Sequence, residues 1–389
     1  MKVRDIVKLT KSLVQMAFLI VAAGLTACGG GGGGGAGAPN TFTAACSDGT
    51  TKTSSVSQTD AQNQCSAAST ALSTNTPTAS YSSTDKLNVF NQLNSDRLRC
   101  GFGSIQQNAK LDVAAQGHAD YMAMNNSSPT HTQTNGSPGF TGVTTGDRLA
   151  SAGYAYSYAD ENLTASNYGT WYTNSGSVFP VSPTEVTARN MLRKLYSSVY
   201  HLEGLMSGVR ELGLGIALKD NSGGGYTSFT KYLVAELGTQ TGQLNQRIAS
   251  DAMASFPCEG TSGLNPFFGS EDPNPFPAVD LNATPYGTPV YLMSAVGTTL
   301  TVTSSTITQR GVGSVATTQL NTSNDPQASG SLIRLASNQV FVIPTTHLAD
   351  NATYDVVLSG TNTGLITSSN PTGAFSRSFS FQTGTYISD

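Results

Sequence analysis

Seven consecutive glycines, Gly29 to Gly35, cut the chain into parts that cannot share a helix or a strand. Residues without a Cβ lose the most backbone freedom on ordering and bring nothing to pack. Behind them the sequence stays rich in Ala, Ser, Thr, Asn and Gln as far as Ser83. Such a composition cannot bury a core, so residues 28–83 are expected to form a flexible stalk. Whatever folds must lie in 84–389, which is long enough for two domains. Ahead of the glycines, Lys2, Arg4, Lys8 and Lys11 precede an apolar run from Leu13 to Ala23, too short for a comfortable membrane span. Residues 1–27 therefore read as a signal peptide.

The run closes in Leu25-Thr26-Ala27-Cys28, which resembles the bacterial lipobox, whose cysteine is diacylated before cleavage. On that resemblance the mature protein begins at a lipid-modified Cys28 and is tethered to a membrane of the bacterial cell envelope while remaining water-soluble. Gly29, in place of an aspartate retention signal, tilts the choice towards the outer membrane. Charged residues are 11% of the chain and the net charge is -4, so no basic surface for nucleic acid or anionic lipid is implied. With Cys28 set aside, Cys46, Cys65, Cys100 and Cys258 remain, an even number that favours two disulfides in an oxidising compartment. Of the three possible pairings the favoured one joins Cys46 to Cys65 within the stalk and Cys100 to Cys258 between the two folded parts. Close CxxC spacing is absent, so the cysteines do not suggest a metal site.

Leu87, Phe90, Leu93, Arg97 and Leu98 recur at helical spacing behind Ser83 and Thr84, predicting a helix to about Cys100 that Gly101 and Gly103 stop. Leu111, Ala115, His118 and Met122 predict a second helix over 109–125. Ser182-Pro183-Thr184-Glu185 combines an N-cap serine, a first-turn proline and a glutamate at the third position, predicting a third helix to about Ser197. Alternating segments at Leu212 to Leu218 and Tyr226 to Leu237 predict an antiparallel hairpin.

The blocks LNVFNQLNSDRLRCGFGSIQQNAKLDVAAQGHADYMAMN, PTHTQTNGS, GDRLASAGY, ENLTAS, SSVYHLEGLM, ELGLGIAL and YLVAELG follow one another without a large gap. In this order they resemble the CAP superfamily (cysteine-rich secretory proteins, antigen 5 and pathogenesis-related proteins, also called SCP-like), its bacterial branch most of all. The resemblance implies an α+β fold over 84–240, an alpha-beta-alpha sandwich with a central antiparallel sheet and a cleft lined by histidines and acids. It carries His131, Glu161 and His201 over as the cleft residues, with Glu185 and Glu203 as rivals for a second acid. The arginine and asparagine that often follow the last histidine in bacterial members are missing here.

Two imidazoles and a carboxylate are the ligand set of an open zinc site, so Zn is the metal these three would take. They could equally form a buried hydrogen-bonded network that fixes three loops. No HExxH spacing is present, and GxSxG-like strings fall in Gly/Ser-rich loops, so no catalytic module is recognisable. His118, on the apolar face of its helix, reads as a satisfied core histidine. The tyrosines Tyr154, Tyr156, Tyr158, Tyr168 and Tyr172 and Trp171 read as scattered loop aromatics, with an apolar groove for a lipid or glycan as the alternative.

From Pro257 onwards prolines are frequent and helical period is lost, and short Val, Thr, Ile, Tyr and Phe-rich runs follow. Residues 256–389 are therefore expected to form an all-β sandwich, and LADNATY with FSFQTG is similar to bacterial Ig-like domains; Tyr354 would be a corner tyrosine bonding backbone. The leading expectation is a lipid-anchored protein that binds an extracytoplasmic lipid, glycan or protein, or a metal ion, at His131, Glu161 and His201 without catalysis. A metal-dependent hydrolase of envelope material and an adhesion or structural protein acting through the Ig-like domain are the competing readings.

Overall fold

A computed structural model of the chain describes residues 41–45, 51–57, 61, 70–172, 178–181, 187–223, 227–269, 271–328 and 334–385. The leader, Cys28, Cys46, Cys65 and Glu185 lie outside them, as does most of the expected stalk. Within the stalk a small antiparallel hairpin pairs β1, Phe42–Ala45, with β2, Thr51–Ser54. Its last residues are docked: Ser104 N donates to Ser73 O at 2.8 Å, and Tyr81 Oη donates to Asp112 Oδ1 at 2.6 Å. Leu72, Ala79 and Tyr81 give this segment enough apolar surface to pack on the core, so the folded part starts before residue 84.

Helix α1, Thr84–Cys100, starts on the Ser83 cap and ends on Gly101 at φ 87, a left-handed position that suits a residue without Cβ. Its buried Arg97 ties the following turn to a later helix, donating to Gly103 O at 2.8 Å and Leu205 O at 2.7 Å. After the short β3, Gln106–Gln107, helix α2, Ala109–Asn125, is capped by Asn108 and Asn126. A seven-residue helix α3, Thr145–Ser151, opens on a capping box between Thr144 and Asp147. The expected start of the third helix, Ser182 to Glu185, lies outside the described residues. Helix α4, Ala188–Tyr196, begins at the Thr187 cap, and Ala188, Met191, Leu192 and Leu195 supply its buried face. Helix α5, Val199–Met206, follows at once.

The central sheet runs β3-β6-β7-β4-β5, with β4 Tyr156–Tyr172, β5 Val178–Val181, β6 Glu211–Asp220 and β7 Ser228–Gln240. All pairs are antiparallel except β3 with β6. Strand β4 corrects the loop assignment: Tyr156, Tyr158, Tyr168, Trp171 and Tyr172 lie along a seventeen-residue strand, and Tyr154 just precedes it. Helices α2 and α3 cover one face of the sheet, and α1, α4 and α5 the other. Gly213 and Gly215 let α2 lie against β6, since a Cβ there would sit 2.1 Å from Leu111 C and 2.0 Å from Ala115 O.

The second part begins at β8, Met253–Phe256, three residues before the expected boundary, because β8 pairs with β12, Val290–Ser294. The short β10, Phe267–Phe268, pairs with β11, Tyr286–Gly287, and one sheet runs β15-β16-β12-β8, with β15 Thr317–Asn321 and β16 Gln339–Pro344. The other runs β14-β13-β17-β18-β9, built from β13 Leu300–Gln309, β14 Gly313–Val315, β17 Thr353–Asn362, β18 Ala374–Thr383 and β9 Thr261–Leu264. The short Val, Thr, Ile, Tyr and Phe-rich runs of this part fall on its strands. Tyr354 is fully buried, and its hydroxyl accepts from Ala349 N at 2.7 Å, as a corner tyrosine would.

The β domain is no loose spacer. One apolar core runs through both parts, with Tyr196 against Phe256 (4.6 Å between ring centroids) and Phe102 stacked on Tyr291 (5.9 Å). The expected Cys100–Cys258 disulfide is formed. Among the described residues no helix is long and apolar enough to cross a membrane.

Candidate functional site

Glu161 on β4 stands directly opposite Glu236 on β7, and both side chains point to the α2 and α3 face together with Leu163 and Val234. Three loops and helices close over this carboxylate pair. His131 Nδ1 bonds Glu161 Oε1 at 2.8 Å, and Arg148 of α3 bonds Glu161 Oε2 through Nη2. The Arg148 guanidinium is fully buried; it also donates to His131 O at 3.1 Å and Thr145 Oγ1 at 3.0 Å, and its Nε lies 3.9 Å from Glu236 Oε1.

Electrostatics split the two acids. Burial, then the charge of the facing Glu161, push Glu236 well above the ordinary carboxylate value, so the pair favours its proton on Glu236. Burial would raise Glu161 as well, but the hydrogen bond with His131 and the charge of Arg148 win and hold it below the usual value. The same bond raises His131, so a half-exposed imidazole drawn towards its charged form sits on a buried carboxylate. His118 is fully buried, and burial lowers it, so it is neutral. Its Nε2 donates to Thr130 O at 2.7 Å and its Nδ1 accepts from Gln133 Nε2 at 2.9 Å. It is the satisfied core histidine its sequence position suggested, although it also lies 4.0 Å from Glu161.

His201 belongs to the other side of the sheet. Asp160 precedes Glu161 on β4 and faces α5, where a Cβ on Gly204 would come within 2.2 Å of Asp160 Oδ2. His201 projects from that same helix, and its Nδ1 lies 2.9 Å from Ser198 Oγ and 3.2 Å from Glu271 Oε2. Ser198, His201 and Glu271 are not a nucleophile relay. Serine and carboxylate meet the same ring nitrogen, and Ser198 Oγ donates to Leu195 O at 3.0 Å. Glu271, from the β domain, also accepts from Val199 N at 2.7 Å and so caps α5, whose own Ser198 makes no side-chain cap bond.

A zinc ion held by His131, Glu161 and His201 together does not fit this arrangement. Glu161 has both oxygens engaged by His131 and Arg148, while His201 approaches β4 from the opposite face. Among the described residues no three His, Cys, Asp or Glu side chains are grouped to hold a metal ion.

His131 and His201 nevertheless line one cleft of about 1500 Å³, because it runs along the edge of β4. Leu163 to Ser166 form its floor, Met191, Arg193 and Lys194 of α4 one wall, and Pro266 to Phe268 with His347 to Asp350 of the β domain the other. His347, which the sequence places apart from the site, belongs to it.

Glu203 instead faces the domain junction, where its Oε1 accepts from Gln339 Nε2 at 2.7 Å. Burial and the neighbouring Asp160 charge push Glu203 up to about 7, and burial pushes Asp160 up to about 6. Groups raised in the fold keep it unpenalised while protonated and weaken it as pH climbs from their ordinary values towards 7. Glu203→Gln should therefore raise the melting temperature more at pH 8 than at pH 5. An equal change at both would refute the assignment.

Residues 90–234 match the family model of the Cysteine-rich secretory protein family, CAP, so the chain carries a CAP domain over that stretch. Among solved structures, it is similar to an extracellular protein containing a SCP domain from Bacillus anthracis str. Ames. Identity is 20% and the TM-score 0.28, over 42% of this chain and 45% of that one, so the likeness spans less than half of that protein's length. No curated protein matches the chain.

Proposed function

We propose that this is a lipid-anchored, extracytoplasmic binding protein whose cleft between the CAP and β domains takes an extended ligand without chemistry. The observation that carries this reading is the composite cleft itself: His131, His201 and the β4 edge on one side, His347 to Asp350 on the other, with the walls joined by a disulfide and a shared core. Clefts at domain junctions with a few polar groups among apolar ones are a common form of ligand site. Export is supported by the leader, by the lipobox-like Leu25 to Cys28 and by the Cys100–Cys258 disulfide, which suits an oxidising compartment. In a bacterial host, labelled palmitate should enter the protein and fail to enter Cys28→Ala.

Hydrogen exchange tests the cleft with three probes: an eight-residue peptide alternating valine and glutamate, a chitooligosaccharide, and oleate. One probe should protect residues 129–132 and 347–350 together, and His131→Ala should weaken that protection. Failure of all three to protect both walls would overturn the reading.

A further inference from the structure

Residues 241–252 join β7 to β8, and of these only Gln246 and Ile248 are buried. Ile248 belongs to the apolar core, as its side chain dictates. Gln246 is a polar group in the same position, and a buried amide must find partners. Its Nε2 donates to Ser104 O at 2.9 Å and to Val209 O at 2.8 Å, which pins the turn after α1 to the turn after α5. Its Oε1 accepts from Ser73 N at 2.6 Å, and Ser73 belongs to the segment that enters the fold from the N-terminal side. Main-chain bonds run alongside: Arg247 N donates to Thr70 O at 2.7 Å, and Gln246 N to Gly208 O at 2.6 Å. Gly103 makes room for this joint, since a Cβ there would stand 2.7 Å from Gln246 Oε1 and 3.1 Å from Leu72 Cβ.

One side chain therefore fastens the interdomain linker and the incoming segment to the same spot. From this joint we infer an interlock: residues 70–80, through which the membrane tether enters the fold, stay docked while the linker is seated and let go when it leaves. The tether half of the inference rests on the lipid-anchor reading above, and the interlock itself does not.

Residues 70–80 lie along the surface. Thr74, Asn75, Thr76, Thr78 and Ser80 are exposed, and Leu72 and Ala79 pack on the core as partly buried side chains. Polar contacts add to the hold, with Ser104 Oγ donating to Asn75 O at 2.6 Å and Ser80 N to Gln107 Oε1 at 2.7 Å. Segments held in this way open at a lower free energy than the core beneath them. Release stops at Tyr81, whose hydroxyl is clamped to Asp112 and whose ring packs edge-on against Phe90. The freed length can let out at most about 40 Å of chain. Parting of the two domains is thereby converted into a longer reach from the membrane, and tension on the tether is delivered to the domain junction.

Hydrogen exchange on the full chain tests the interlock from both ends, because coupling between two segments is reciprocal. Gly208→Ala pushes on the linker, since its Cβ would stand 2.2 Å from Gln246 O and next nearest to Gln246 C and Asn245 Cβ. It should speed exchange over 72–76 at least about fivefold, along with 244–249. Ser73→Pro, which lacks the N–H that Gln246 accepts, should speed 244–249 by a similar factor. Amides of β6 and β7 should hold in both variants, which separates local release from unfolding. Pulled by its two ends, the native chain should lengthen by at most about 40 Å in one early step, and Gly208→Ala should take that step at lower force. A loosened linker with residues 72–76 unchanged, or no step before a domain unfolds, overturns the inference. Coupled exchange in a protein whose Cys28 takes no palmitate would remove the anchor reading and uphold the interlock.

Discussion

Arg148→Met is expected to destabilise the protein by about 3–5 kcal/mol at pH 7.5, the cost of stranding a buried charge whose partner is removed. The guanidinium is a permanent cation against the Glu161–Glu236 pair, and it is wholly buried. Methionine can fill much of the volume, but it leaves Glu161 with His131 as its sole charged partner at hydrogen-bond distance. The loss should depend on pH in a defined sense. With the cation gone, the folded-state pKa of Glu161 climbs above its unfolded value. The variant then holds an extra proton when folded, and its stability recovers as pH falls from neutrality towards the ordinary carboxylate value. Native protein should behave oppositely for this group: Glu161 is held low, so its contribution is present above the unfolded value and fades only as acid protonates it. Guanidinium unfolding at pH 7.5 and pH 5 measures both, and adding Glu161→Gln to Arg148→Met should return a large part of the loss at pH 7.5. An Arg148→Met protein within about 1 kcal/mol of native at both pH values would show that the pair is not charged as described.

Sequence and structure agree where local chemistry decides. The ends of α1 and α2 were legible because Ser83, Gly101 and the asparagines around α2 are caps, and the β6–β7 hairpin was legible from its alternation. Strand β4 was not. It lies between helices on both faces, so its side chains follow no polar-out pattern: Asp160, Asn162 and Thr164 face one helical layer while Glu161 and Leu163 face the other. The missing alternation also hides the geometry of the site. Adjacent residues on a strand face opposite ways, and without the strand there was no reason to set Glu161 and His201 on different sides. Glu236 did leave a trace, a lone acid inside the apolar run Tyr232 to Leu237, and such a group must find a partner if the run is buried. Arg148 could have been matched to it on charge alone. Glu271 and His347 gave no such signal, because both come from loops whose approach to the CAP domain depends on how two domains pack.

That packing makes the second large effect. Cys100→Ser with Cys258→Ser is expected to lower stability by about 3–5 kcal/mol, since the bond closes a loop of 158 residues in the unfolded chain and long loops give the largest entropic gain. The bond joins the last residue of α1 to the start of the β domain, beside the Tyr196–Phe256 contact. It therefore does more than restrict the unfolded chain, because it holds the two walls of the cleft in register. Without it the apolar core that runs through both domains still favours docking, so the variant should fold and the walls should still meet. What it should lose is cooperativity: guanidinium unfolding, expected as a single step for the native protein with its shared core, should broaden as the β domain separates before the CAP domain melts. Exchange of amides on β8 and β9 should then outpace exchange on β6 and β7, whereas in the oxidised protein the two sets should open together. Treating native protein with a reductant strong enough to open Cys100–Cys258 should reproduce both results. Unchanged midpoints and matched exchange would mean that the shared core alone unites the domains, and that the cleft keeps its shape with the covalent tie removed.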